Sequence, residues 1–302
     1  MLTREEFLAR RKTGIGGSDV AAIAGLSPWR SPLDVYYDKL NTEFGDGGCN
    51  ESFPVGDTAA LWWGSNLENI IGKAYSLVTG RKICHYNRLL VGEKKHYIGD
   101  VDFLAYCENG KRPFNARTGE IFTDTGVEIK TSRYASDEWG EKGTDKVPMY
   151  YFCQTQWYMG LIPSMKKFDL VPLFSGSDLR FYTIYRDNSI IERLKEIADD
   201  FWTGNIEKQI PPAPRSMEEV KRLFPAVVGK SIMASVEIEN KCKEYAEISA
   251  QRLALEKQEA ELKNEIAISM GDAEVLTLPD ETVLATFKEE KKSRVLRVKK
   301  QK

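Results

Sequence analysis

The stretch Gly126-Val127-Glu128-Ile129-Lys130-Thr131 decides how this chain is read. Its aliphatic residues alternate with charged ones, which predicts a short strand. Val127 and Ile129 take one face of it, Glu128 and Lys130 the other, because strand side chains alternate with period two. One face therefore suits a core, while the other holds a carboxylate beside an ammonium. On its own, a Glu-x-Lys of this kind is most often a solvated strand face. The residues around it change the odds.

Upstream, Tyr97-Ile98-Gly99-Asp100-Val101-Asp102-Phe103-Leu104 predicts a neighbouring strand with Asp102 inside an apolar run and Asp100 on the same face as Asp102. Further upstream, Ser65 or Asn66 is expected to cap a helix. Its apolar face would be Leu67, Ile70, Ile71, Ala74, Tyr75 and Val78, with Glu68 at the edge and Gly80 at the end. Asp102, Glu128 and Glu68 are candidate ligands for a hard cation, which takes several oxygen donors. Beside a phosphate such a cation neutralises charge and activates water. Lys130 could orient that water or stabilise transition-state charge.

The N-terminal region adds an anion site. Arg11 precedes Gly14-Ile15-Gly16-Gly17-Ser18, and Ser18 is expected to cap a helix over Asp19–Ala24 that stops at Gly25. A helix N-terminus offers free N–H groups to an anion, and arginine adds bidentate phosphate recognition. The same glycines could equally serve only as a turn. Downstream, a helix over Met149–Gly160 carries Gln154 and Gln156. Two residues apart, they cannot share a helix face, so one is expected in the site and the other capped or exposed.

The remaining elements complete an α/β (α+β) plan with a mixed central sheet. Thr3-x-x-Glu6 forms a capping box for a first helix reaching about Arg11, and Ser31-Pro32 opens a third. Residues 41–60 read as a loop and 108–125 as a hairpin loop or insert. Strands are expected at 82–91, 95–106, 126–132, 167–174 and 180–187, and a helix at 189–203. Composition shifts at Pro211-Pro212-Ala213-Pro214, which places one domain over 1–215 and an appendage over 216–302. The appendage is expected to hold a charged helix near 231–270, a hairpin over Thr277–Lys288 turning at Pro279-Asp280, and a basic end. The helix keeps a partial seam at Leu255, Leu262 and Ile266. A coiled coil, a helical hairpin and a helix packing on its own domain all fit it.

Bulk properties narrow the classes. The chain has 302 residues, 42% apolar, with a net charge of −2 and a pI near 6.0, so it is not coated in positive charge, although a local basic channel is compatible. Five scattered cysteines without a Cys-x-x-Cys pair disfavour a disulfide scaffold or zinc knuckle. Only two histidines, His85 and His96, disfavour histidine-based metal centres and Ser-His-Asp hydrolysis. No apolar run is long enough to span a bilayer, so no membrane partner is expected.

Taken in order, Arg11, Gly-Ile-Gly-Gly-Ser18-Asp, Trp-Gly-x-x-Leu-Glu68, Val-Asp102, Glu128-Ile-Lys130 and Gln154-x-Gln resemble the lambda-type phage exonuclease family. Its members are also called YqaJ-like viral recombinases and belong to the PD-(D/E)xK nuclease superfamily. The resemblance covers about residues 8–205. It implies a restriction-endonuclease-like core and a Mg²⁺-dependent exonuclease, with Mn²⁺ as an alternative ion. Such an enzyme digests one strand of double-stranded DNA from its 5′ end and leaves 3′ single-stranded tails for a strand-annealing protein. It also implies a homo-oligomer, a ring-shaped trimer, encoded by a phage or prophage and acting in the bacterial cytoplasm.

Carried over position by position, the resemblance makes Asp102, Glu128 and the Ile129 carbonyl metal ligands, with Glu68 assisting a second metal or its water. Lys130 becomes the catalytic lysine and Gln154 the motif glutamine. Arg11 and Ser18 match positions that hold the 5′-phosphate; Arg133 is a further candidate at altered spacing. A sequence-specific endonuclease on the same metal core, and a catalytically silent DNA-end binder, are the alternatives.

Overall fold

The computed structural model describes residues 9–40, 59–291 and 293–299. The expected capping box at Thr3–Glu6 and nearly all of the expected loop at 41–60 lie outside them. The chain divides into two units, Met1–Pro225 and Ala226–Lys302.

In the first unit, residues 9–11 are helical, and helix α1 (Gly17–Ile23) follows. Helix α2 (Pro32–Lys39) starts where the sequence places it: the Ser31 side chain accepts from the Asp34 N–H and Pro32 occupies the first turn. Helix α3 (Ala59–Thr79) begins earlier than the expected cap at Ser65 or Asn66. Those two polar residues sit on an exposed helical surface, and Asn66 bonds the Trp62 carbonyl within the helix. The α3 face is also narrower than its periodicity suggests: Ile71 and Tyr75 are buried, while Ile70 and Val78 are exposed.

Strands β1 (Ile83–Cys84), β2 (Leu90–Val91), β3 (Ile98–Gly99) and β4 (Phe103–Ala105) replace the two long strands expected over 82–106. Residues 100–102 break the run. β3 pairs with β2, whereas β4 joins the main sheet. Strand β5 (Thr125–Ser132), helix α4 (Met149–Leu161) and strand β6 (Lys167–Phe174) form a parallel crossover unit. Strands β7 (Asp178–Leu179) and β8 (Tyr182–Tyr185) pair antiparallel with β6, at its two ends. The sheet runs β1-β4-β5-β6-β7, with β8 also on β6. It is a mixed sheet, as expected, with helices on both faces.

Helix α5 (Asn188–Phe201) is capped by Asp187 and continues into a π-helical turn over Trp202–Ile206. Helix α6 (Met217–Leu223) lies in this unit too, and its Arg222 pairs with Asp34 of α2 at 2.6 Å.

Two apolar clusters sandwich the sheet. Val127, Ile129 and Val171 pack with Ile71 and Tyr75 of α3. Phe168 and Leu170 join the larger cluster with Val20, Trp157, Tyr158 and Leu194, from α1, α4 and α5. Period two in β5 thus sends Glu128 and Lys130 toward α4 rather than into solvent. Burying this much aliphatic and aromatic surface is what orders the sheet, at roughly 25 cal/mol per Å².

The second unit contains helix α7 (Val236–Met270) and strands β9 (Val275–Thr277), β10 (Val283–Glu290) and β11 (Ser293–Val298) in one antiparallel sheet ordered β11-β10-β9. Ser235 caps α7, and i,i+4 ion pairs such as Lys241–Glu237 and Lys263–Glu259 line it. Leu255 and Leu262 of the partial seam are exposed. The expected hairpin is the β9–β10 pair, whose turn is closed by the Leu278 N–H on the Thr282 carbonyl. The basic end is not merely a tail, since residues 293–298 add a third strand. Among the described residues no helix is long and apolar enough to cross a membrane.

Candidate functional site

The site grows from the place where β4 parts from β5. Their ladder consists of Leu104↔Gly126 and Phe103↔Val127 and stops there. Asp102 lies on the bend just before β4, not within a continuous strand as the sequence suggests. Its Oδ2 accepts the Ile129 N–H at 2.8 Å, taking over the donor that the ended ladder leaves free. A strand residue's N–H and C=O point to the same edge, so the Ile129 carbonyl is turned toward the Asp102 side as well.

On the α4 side, Glu128 is 2% exposed. Its Oε1 accepts from Lys130 Nζ at 2.6 Å and from Gln154 Nε2 at 2.7 Å. Its Oε2 is buried with no hydrogen-bond partner. Gln154 also donates to the Tyr158 hydroxyl at 2.9 Å, and Lys130 Nζ lies 5.1 Å from the centre of the Tyr151 ring. Helix spacing explains the set, since Tyr151, Gln154 and Tyr158 follow at intervals of three and four on one face of α4.

Glu68 approaches from α3. Burial, then the fields of Asp102 and Asp100, push its carboxyl up to about 7, against the pull of Lys130. Asp100 is exposed by surface area, yet it is hemmed in closely enough that desolvation and Asp102 raise it to about 6, opposed by Arg11. Burial also raises Asp102 and Glu128, and Asp102 raises Glu128 further. For Lys130, desolvation favours loss of the proton, but Glu128 and Asp102 more than offset it and hold the ammonium charged. Several carboxylates around one lysine are thus short of positive charge.

The structure therefore brings Glu68, Asp102, Glu128, Lys130 and Gln154 together. Arg11 stands at this group's edge, close enough to Asp100 to lower its pKa, and its carbonyl accepts from Lys39 Nζ at 2.9 Å. Ser18 is exposed in the first turn of α1 but is not its cap. Gly16 holds that position, and the Asp19 carboxylate accepts the Gly16 N–H at 2.9 Å. Asp19 prevails because it is buried between Lys39 (2.7 Å) and Arg30 (2.8 Å), which hold it down at about 2 although desolvation opposes ionisation.

Gln156 is neither exposed nor in the site. Its amide is buried, donating to the Tyr185 carbonyl and accepting the Asp187 N–H, so it fastens β8 to the start of α5. Arg133 is exposed past the end of β5, its carbonyl accepting from Ser175 Oγ at 2.6 Å.

Two participants escape the sequence reading. His85 bonds the Asp102 carbonyl (3.0 Å) and Asn69 (2.7 Å) and lies 3.7 Å from Glu68. Only the β1–β4 register, which carries it past Cys84↔Leu104, brings it there. Gly17 packs so tightly on α4 that a Cβ would lie 2.8 Å from Gln154 Cγ and 3.0 Å from Tyr158. Its glycine-rich context was visible, but the reason for glycine was not.

No three carboxylate, imidazole or thiol groups among the described residues converge into a formed metal cage. The donor chemistry nevertheless fits a hard cation. A buried carboxylate oxygen lacks a partner, and its neighbours are carboxylates whose protonation is raised by one another.

A family model described as the YqaJ-like viral recombinase domain matches residues 6–161. The chain is similar to the uncharacterised protein YqaJ of Bacillus subtilis (strain 168), 28% identical over 280 residues that cover 90% of this chain and 80% of the relative. Among solved structures it is similar to an alkaline exonuclease from Laribacter hongkongensis, with a TM-score of 0.47 at 17% identity, covering 72% of this chain and 97% of that one. A phage-related exonuclease from Haemophilus somnus 129PT gives a TM-score of 0.41 at 13% identity, covering 65% and 96%.

Proposed function

We propose that this chain, which belongs to the YqaJ-like viral recombinase family, is a divalent-metal-dependent exonuclease that digests one strand of duplex DNA from its 5′ end. The observation that carries this reading is the buried Glu128 carboxylate, with one oxygen held by Lys130 and Gln154 and the other without a partner. Asp102, Glu128 and the Ile129 carbonyl would hold the cation, Mg²⁺ or Mn²⁺, with Glu68 beside them. When bound, the ion supplies Lewis-acid charge to the phosphate and lowers the pKa of water.

The chain's own residues divide the remaining work. Lys130, kept charged by its carboxylate neighbours, stabilises negative charge that develops on the phosphate. Gln154 orients Glu128. Tyr158 stays a neutral hydroxyl, because burial and Glu128 raise its pKa well above the usual phenol value, and it fixes Gln154 in turn. Arg11 and Ser18 receive the 5′-phosphate, Arg133 contacts the backbone beyond it, and this sets the polarity of digestion. The products are 3′ single-stranded tails, passed to a strand-annealing partner by a trimeric assembly in the bacterial cytoplasm. The unit beyond Pro225 is a candidate for that assembly or hand-over.

The test uses linear duplex DNA labelled at either end, with and without Mg²⁺, beside a closed circle. Mg²⁺-dependent loss from the 5′-phosphorylated end with the circle intact is expected. A cut circle would replace the exonuclease with an endonuclease, and end binding without cleavage would leave only a DNA-end binder.

A further inference from the structure

The turn between α1 and α2 forms a cleft of about 340 Å³, lined by Gly25, Trp29, Arg30, Asp34 and Arg215 among others. That volume lies within the range of small-ligand sites. None of the residues assigned to the carboxylate cluster or to the 5′-phosphate lines it.

Trp29 is 66% exposed, unusual for so large an apolar ring, yet it is held in place. Its ring meets Tyr150 edge-on at 4.9 Å and lies 6.3 Å from Tyr151. Ser27 Oγ accepts the N–H groups of Trp29 and Arg30 and pins the loop that carries the indole. Arg30 and Asp34 are already committed, the first to Asp19 and Asp38 and the second to Ser31 and Arg222.

Arg215 is different. Among the described residues no carboxylate lies within ion-pair distance of its guanidinium, which rests over Gly25. Glycine suits that point because φ is +76°, and the guanidinium lies where a Cβ would otherwise stand. Glu219 fixes the Arg215 backbone by accepting its N–H at 2.6 Å. The cleft thus offers a free aromatic surface and a free guanidinium, which are complementary to a base and a phosphate.

Its position supports the same chemistry. The Tyr151 ring beside Trp29 is the ring that Lys130 Nζ faces at 5.1 Å. Helix α1, about 10 Å long at 1.5 Å per residue, separates the cleft at Gly25 from the end that carries Gly16 and Ser18. A paired base inside a duplex is stacked on both faces, whereas an unpaired base can turn a whole face to the indole.

We propose that Trp29 and Arg215 form a subsite for one unpaired nucleotide of a DNA end, with the base stacked on the indole and its phosphate on the guanidinium. The inference rests on the nuclease reading for its choice of DNA as ligand. Such a subsite would hold an opened end next to the reacting phosphate.

The experiment measures anisotropy of a fluorescent oligothymidylate with the full chain in EDTA, alongside Mg²⁺-dependent digestion of a blunt linear duplex. Stacking of one base is worth about 1–3 kcal/mol, so Trp29→Ala is expected to weaken oligonucleotide binding about tenfold or more. Trp29→Phe should keep most of it. Arg215→Gln should weaken binding and flatten its salt dependence. Both positions are exposed, and unchanged melting temperatures would qualify the variants. Unlabelled duplexes with 3′ or 5′ overhangs, used as competitors, identify the strand that supplies the nucleotide. Wild-type binding by both Trp29→Ala and Arg215→Gln would overturn the subsite, and if the wild-type chain still digests duplex, the nuclease reading survives that result. Conversely, loss of oligonucleotide binding in the variants without any digestion by the wild type would support the subsite and remove the nuclease.

Discussion

The Asp102 carboxylate accepts the backbone N–H of Ile129 at 2.8 Å, just where the β4–β5 ladder ends. One side chain therefore closes the sheet and faces the carboxylate cluster. Asp102→Asn retains an acceptor for Ile129 but lacks the charge. It is expected to keep its melting temperature within a degree or two while losing on the order of 10²-fold or more in cleavage. Asp102→Ala also strands the Ile129 N–H and should lose about 1–3 kcal/mol of stability in urea unfolding. Normal cleavage by Asp102→Asn would remove it from the proposed metal ligands.

Lys130 and Glu128 are joined at 2.6 Å, and Glu128 and Asp102 hold the lysine charged. Lys130→Ala is expected to abolish cleavage while duplex binding in Ca²⁺ stays measurable. Full activity in the variant would end the role given to this lysine. Mg²⁺ should raise the melting temperature of the wild-type chain, and Glu128→Gln should erase that rise. Chelation with EDTA should reverse it.

Gly17 is the point where α1 touches the Gln154–Glu128 pair. In Gly17→Ala the new methyl would meet Gln154 and Tyr158 at about van der Waals overlap. Overpacking of this kind costs about 1–3 kcal/mol. A displaced Gln154 would release Glu128, so turnover should fall at least tenfold, with saturating duplex concentration unable to restore it. A variant that cleaves at the wild-type rate would show that Gln154 tolerates displacement.

Asp19 supplies a pH signature away from the cluster. Its pKa is about 2 in the folded chain against an ordinary 3.8, so Lys39 and Arg30 add stability that is fully present above about pH 4 and is lost as pH falls through 2. The gain is on the order of 2 kcal/mol. Asp19→Asn takes the nearer carboxylate from the Lys39 ammonium, leaving it Asp38 at 3.7 Å and the Arg11 carbonyl, and should cost about 1.5–3 kcal/mol near pH 7. Denaturant titrations at pH 7 and pH 2 should show that cost shrinking at the lower pH; a constant difference would refute the assignment.

Much of the site was legible because strand and helix periods are local. Period two separates Glu128 and Lys130 from Val127 and Ile129, and α4 repeats Tyr151, Gln154 and Tyr158 at intervals of three and four. The resemblance supplied the order of Arg11, Glu68, Asp102 and Gln154, and the structure brings Glu68, Asp102 and Gln154 to Glu128. What could not be read depends on partners far along the chain. Ser18 has good capping chemistry, but Asp19 captures Gly16 because Lys39 and Arg30 arrive from α2 and its approach. Gln156 looks equivalent to Gln154 until β8 comes to lie against it. The break at 100–102 is invisible in an apolar run, because it follows from which neighbour β3 and β4 each choose.

By itself the sequence determined most of the elements and the chemical inventory: a Glu-Ile-Lys strand, an aspartate within an apolar run, a glycine-rich turn and a glutamine helix. These follow from side-chain type and spacing, which act over a few residues. Only the tertiary structure decided that Glu128 and Lys130 turn inward beneath α4, that Asp102 ends a ladder rather than continuing one, and that His85 and Gly17 border the cluster. Burial and the pairing of distant backbone groups made those choices, and both depend on contacts between segments that are far apart in the chain.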